Sequence, residues 1–155
     1  MKGNEKLIKS LNTRLMEELT AINQYFVHAE LCEDWGYESL QAAIRQRSIS
    51  EMKHAEKLIE RILFLEGQPD VSTLDKISIG KSVDKMHKND LSAEDSAIKG
   101  YNESIRLAAE VGDNGTKSML EEILKEEEEH LDWLEAQQDQ IEQMGLQLYL
   151  AEQIR

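Results

Sequence analysis

The sequence predicts an all-α fold: four long helices in two hairpins, joined by one long crossover and followed by a short fifth helix. Three features point there. Leu, Glu, Lys, Ala and Gln abound while aromatics make up only 5% and proline occurs once, a composition that favours helix. No stretch sustains the period-two alternation of a half-buried strand. Glycines stand at the ends of apolar-periodic runs, at Gly36, Gly67, Gly112 and Gly145, with Pro69 just beyond the second. Glycine past a last helical turn, with proline after it, is a helix stop.

The elements follow in order. A first hairpin over about 5–66 carries Leu11, Leu15, Leu19, Ile22 and Phe26 at helical spacing, then Leu58, Ile62 and Leu65 after the turn at Gly36. Each run predicts a buried stripe. The stretch QPDVSTLDKISIGKSVDKMHKND is rich in turn residues and weakly periodic, and predicts a crossover over about 67–90. That is long enough to run the length of a bundle, as in one-crossover four-helix topologies. A second hairpin over about 91–144 turns at Gly112, and a short C-terminal helix over about 146–154 follows Gly145. A chain of 155 residues fits a single domain, 1–155.

Charge narrows the partners. A net charge of -13 repels nucleic acid and anionic membranes and attracts metal cations. The longest purely apolar run, ILFL at 62–65, is far short of the roughly 20 residues that span a bilayer. One cysteine, Cys32, cannot form an internal disulfide, and MKGNEKLIKS lacks the apolar core of a signal peptide. A cytoplasmic location is the expectation.

The two hairpins are copies in register. A shift of 76 places Glu18 on Glu94, Tyr25 on Tyr101, Gly36 on Gly112, Glu51 on Glu127, His54 on His130 and Leu58 on Leu134. In each half the glutamate lies 18 residues before the turn glycine, and an E-x-x-H motif begins 15 after it. At a rise of about 1.5 Å per residue, folding back at the glycine brings glutamate and motif to nearly one level. The register also picks Glu127 out of the run KEEEEH, because only Glu127 matches Glu51. It leaves Glu126, Glu128 and Glu129 as surface acids, which is what most charge runs are.

Positions i and i+3 share a helix face, so Glu51 with His54, and Glu127 with His130, each present a carboxylate and an imidazole to one point. Facing hairpins then converge Glu18, Glu51, His54, Glu94, Glu127 and His130. Four carboxylates in a core raise one another's pKa and need a compensating cation, which two divalent metals supply. Carboxylate-rich sites with one imidazole per metal suit iron or manganese, with zinc left open. A pair of irons can give two electrons to dioxygen or peroxide, so oxidation of ferrous iron is a natural reaction.

At these residues the chain resembles the bacterioferritins. The segments ELTAINQYFVHAE, SEMKHAEKLIERILFLEG, LKEEEEHLDWLE and QMGLQLYLAEQIR are similar to that family closely and in order, over the whole chain. The resemblance implies a ferritin-like bundle in which Glu18 and Glu94 are terminal iron ligands, Glu51 and Glu127 bridge, and His54 and His130 complete two coordination spheres. It further implies a ferroxidase that stores ferric mineral in a 24-subunit shell, either homomeric or mixed with a second subunit type, and served by a small ferredoxin reductant. Met52 matches the family's methionine in EMKHA, which ligates a b-type haem shared between two subunits. Its shifted partner is Glu128, so the duplication itself does not require methionine there.

Tyr25 lies seven residues after a ligand glutamate, on the same face, and is expected to donate a hydrogen bond to a carboxylate; Tyr101 is its weaker counterpart. Trp35 and Trp133 are expected to pack at contacts, while His28 and His87 receive no role. Gln46 and Ser50 stand where some bacterioferritins carry a histidine and an acid that hold an extra iron on the inner surface, and they are weaker ligands. Other diiron classes fit less well. A rubrerythrin-type peroxidase needs a pair of C-x-x-C motifs, hydroxylases and ribonucleotide reductases are usually longer, and an inactive assembly subunit would not keep all six ligands.

Overall fold

A computed structural model describes residues 1–155 and contains five helices and no strand. They are α1 (Glu5–Asp34), α2 (Glu38–Phe64), α3 (Val83–Glu110), α4 (Asn114–Met144) and α5 (Leu146–Ala151). α1 packs along α2 and α3 along α4, with α1 facing α3 and α2 touching α4. This is the expected four-helix bundle with one crossover and a short fifth helix.

The hairpin turns rest on glycine conformation. Gly36 and Gly112 have φ of +80° and +75°, the left-handed region that side chains avoid. The end of α2 is different: there Glu66 takes the positive φ, 63°, and Gly67 serves by being small, since a Cβ would lie 2.7 Å from Ile8 Cγ2. Side-chain caps start two helices, Asn4 accepting from Leu7 N and Asp113 from Thr116 N.

Two apolar clusters fill the bundle. One gathers Leu7, Leu11, Leu15, Leu58, Ile62, Leu65, Leu120 and Ile123; the other gathers Tyr25, Ala29, Cys32, Leu40, Ile44, Met86 and Tyr149. The six candidate ligands lie between them along the chain of each helix. The apolar stripe of α1 divides: Leu11 and Leu15 are fully buried, but Phe26 is 41% exposed. The far end of that stripe is therefore apolar surface that this chain alone does not cover.

The third helix begins at Val83, ahead of the boundary near 91 that periodicity suggested. Its first turns bury Val83, Met86, His87 and Asp90, two apolar and two polar, so the apolar stripe is interrupted at the start. α5 stops at Ala151 and buries a single residue, Tyr149.

The crossover is held by a polar ladder on one face of α1. Asn12 Oδ1 accepts from Asp70 N, Thr20 Oγ1 from Asp75 N, Gln24 Oε1 from Ser78 N, and His28 Nε2 from Gly80 N, all at 2.9–3.0 Å. A connection without secondary structure of its own thus finds partners for its backbone. His28, assigned no role from sequence, is buried and carries the last rung, with Nδ1 3.0 Å from Asp90 Oδ1.

His87, likewise without an assigned role, anchors α5. Its Nε2 lies 3.0 Å from the Tyr149 hydroxyl, which donates to Gln137 Oε1 at 2.6 Å. Burial is the main cause that lowers the His87 pKa from 6.5 to about 4, with His28 and His130 adding to it and Asp90 and Asp84 opposing. The fold therefore requires neutral His87, and stability is lost as pH falls from 6.5 towards 4, by about 1.4 kcal/mol per unit. Faster amide exchange at Tyr149 over that range is the expected result, absent in His87→Gln.

Candidate metal centre

All six sequence-selected ligands are buried at the middle of the bundle, each at most 2% exposed. Glu18 comes from α1, Glu51 and His54 from α2, Glu94 from α3, Glu127 and His130 from α4. They form two groups whose donor atoms lie within 4.8 Å of one another: Glu18, Glu51, His54 and Glu127; and Glu51, Glu94 and His130. Glu51 belongs to both. Glu127 enters only the first, although its carboxyl also contacts that of Glu94.

His54 Nδ1 faces Glu127 Oε1 at 2.9 Å, Glu18 Oε2 at 3.5 Å and Glu51 Oε2 at 3.7 Å. None of these approaches has hydrogen-bond alignment, and His54 Nδ1, Glu18 Oε2, Glu51 Oε1, Glu94 Oε2 and both Glu127 oxygens are buried without a partner. Buried polar atoms are nearly always paired. So many orphans converging on one point fit a cation, and carboxylates with one imidazole per group fit hard or borderline divalent ions such as iron or manganese.

The electrostatics agree. Burial and the charge of Glu127 raise the Glu18 pKa; burial, Glu18 and Glu94 hold Glu51 well above the carboxylate range; burial, Glu51 and Glu94 do the same to Glu127. At Glu94 burial pushes upward, but the nearness of the Glu127 carboxyl, the hydrogen bond and charge of His130 and the hydrogen bond from Tyr25 outweigh it and bring the pKa down to about 2. Burial opposes charge on His54, yet its closeness to Glu127, Glu18 and Glu51 raises its pKa far above the usual value. Without metal the site keeps its like charges apart by holding protons, which a divalent cation displaces on binding.

Both tyrosines reach the site from the opposite hairpin. Tyr25 donates to Glu94 Oε1, and Tyr101 donates to Glu18 Oε1 at 2.5 Å. The two bonds are related by the duplication, so Tyr101 stands level with Tyr25. His130 Nδ1 lies 2.9 Å from Glu94 Oε1, and its ring meets Tyr25 edge-on and Trp133 at a tilt. Trp133 packs against the second core cluster, while Trp35 is 39% exposed.

Glu126 corrects the sequence reading. It is not a plain surface acid: its Oε2 lies 2.5 Å from His54 Nε2, on the side of the ring away from the centre. Glu128 and Glu129 are exposed as expected. Met52 is 38% exposed and points away from the buried Glu51 and His54.

A cavity of about 470 Å³ lies between α1, α3 and the crossover and reaches Glu18, Glu51, Glu94 and Glu127. Arg14, Glu17, Asp75, Lys99 and Glu103 line it. Gly100 keeps it passable to Arg14, whose guanidinium would meet a Cβ there at 2.1 Å.

Residues 8–144 match the ferritin-like domain family. The chain is 45% identical over 147 residues to a bacterioferritin of Rhodobacter capsulatus, covering 95% of this chain and 91% of the relative. It is 42% identical over 149 residues to a bacterioferritin of Brucella melitensis, covering 96% and 92%. A bacterioferritin of Mycolicibacterium paratuberculosis is 36% identical over 152 residues, covering 98% and 96%.

Proposed function

Because the chain belongs to the ferritin-like family and, within it, to the bacterioferritins, we propose that it stores and detoxifies iron by oxidising ferrous to ferric iron at the six-residue centre. The observation that carries this reading is the set of buried, unpartnered carboxylate and imidazole atoms at the middle of the bundle. Ferrous ions held there supply electrons to dioxygen or peroxide. Glu18 and Glu94 are the terminal ligands, oriented by Tyr101 and Tyr25. Glu51, common to both groups, and Glu127, which contacts Glu94, are the bridging carboxylates. His54 and His130 complete the two positions. The polar cavity beneath the crossover gives the substrate ion a path to the four carboxylates.

The product accumulates as ferric mineral inside a 24-subunit shell, either homomeric or mixed with a second subunit type. The exposed apolar end of the α1 stripe supports burial between subunits, with Phe26 at 41% and Val27 at 44% exposed. A b-type haem shared between two subunits would be held by the thioether of Met52, which is exposed on α2. Sulfur ligation of this kind suits a heme used for electron transfer. Gln46 is exposed and Ser50 half-buried, and neither offers a strong iron ligand on the inner surface. No helix is long and apolar enough to cross a membrane, and a net charge of -13 disfavours nucleic acid. The proposed setting is the cytoplasm, with a small ferredoxin as reductant for iron release.

Anaerobic titration of metal-free protein with ferrous iron, followed by oxygen, tests the centre. Saturation at two irons per chain with a fast first oxidation phase is the expected result. No stoichiometric binding, or binding without fast oxidation, would make this an inactive subunit.

A further inference from the structure

We infer that Glu126 is a positioning residue for His54 and makes the two metal positions unequal: the position served by His54 fills first and holds its ion more tightly than that served by His130. The inference rests on the six residues being a metal centre. His54 is clamped between two sets of carboxylates, with Nε2 2.5 Å from Glu126 Oε2 and Nδ1 turned to Glu127, Glu18 and Glu51. Once a metal takes the Nδ1 lone pair, the ring must carry its proton on Nε2, where Glu126 accepts it. A carboxylate behind a ligating imidazole fixes the tautomer and ring orientation and makes the other nitrogen a better donor.

The duplication supplies the comparison within one molecule. The shift that places His54 on His130 places Ser50 on Glu126 and Gln46 on Glu122. The side chain equivalent to Glu126 is thus a short, neutral serine. The hydrogen bond that His130 makes is through Nδ1 to Glu94, and its Nε2 has no protein acceptor. Its ring is surrounded by Tyr25 and Trp133 instead. The inequality extends to the inner ligands: the His54 group gathers three carboxylates and the His130 group two. Two-fold ligand symmetry therefore ends at the ligands themselves. Glu126 keeps 46% of its side chain in solvent, with Lys57 and Arg47 also acting on it, so its effect is graded and not all-or-none.

Cobalt(II) serves as the probe, titrated anaerobically into metal-free, assembled protein and followed by absorbance and calorimetry. Wild type is expected to bind in two resolved steps per chain. Glu126→Gln keeps the shape and removes the charge, and is expected to weaken the tighter step by about 10–100-fold while leaving the weaker one in place. Ser50→Glu is expected to close the gap from the other side by tightening the weaker step. Equal affinities in wild type, both steps unmoved in Glu126→Gln, or the gap unchanged in Ser50→Glu would each overturn the inference. Those outcomes leave the metal centre standing. Absence of any stoichiometric cobalt binding is the separate result that sinks the centre itself.

Discussion

Glu127→Ala or Glu18→Ala is expected to abolish the fast phase of ferrous iron oxidation, slowing it by at least about a hundredfold, because even residues one shell out from a metal reach that size of effect. Both carboxylates are buried and at the centre of the first donor group. Stability of the metal-free protein is expected to fall by much less than in a usual core truncation. Both oxygens of Glu127 lack hydrogen-bond partners, and its neighbours Glu51 and Glu94 repel its charge. Deleting it relieves roughly 1–3 kcal/mol of unmet desolvation. That offsets much of the few kcal/mol that the new cavity costs. Leu58→Ala, which creates a cavity with no charge to relieve, is the control and is expected to cost about 2–5 kcal/mol. Thermal unfolding together with stopped-flow oxidation separates the two behaviours. Glutamate variants that oxidised iron at the wild-type rate would show that the centre lies elsewhere.

The six candidate ligands stand out in the sequence because two periodicities coincide there. The helical i, i+3 spacing fixes each E-x-x-H pair, and the 76-residue shift fixes the pairs against one another. Six residues satisfying both leave little freedom, and the bundle puts all six at one level. Where the two copies diverge, the same logic failed. The register selects Glu127 alone from the acidic run and passes over Glu126, yet Glu126 is the acid that reaches the outer nitrogen of His54. His28 was set aside because its counterpart is Ser104, and it turns out to hold the crossover. The ladder of Asn12, Thr20, Gln24 and His28 reads in sequence as an ordinary polar helix face, since nothing local says that a loop lies over it. The start of α3 is masked in part for the same reason: Asp90, on its buried face, is there to meet the rungs Gln24 and His28. Internal comparison identifies what a duplicated fold must share. It is silent on what each half has acquired for itself.

Met52→Leu is expected to remove the haem and spare iron oxidation, the counterpart of the glutamate variants. Successive helix positions turn by about 100°, so Met52 diverges from Glu51 and His54, and their burial differs accordingly: 1% exposed for the two ligands and 38% for Met52. The centre therefore gains nothing from the Met52 sulfur. Leucine is close to methionine in volume, so the apolar contact proposed between subunits changes by less than about 1.5 kcal/mol. What it lacks is the thioether lone pair, and iron in a haem has no other soft donor to take from this position. The measurement is the Soret absorbance per chain beside the rate of the first oxidation phase. A retained Soret band would place the axial ligand on another residue. A lost band with a collapsed oxidation rate would couple haem and centre, contrary to the separation that their opposite helix faces imply.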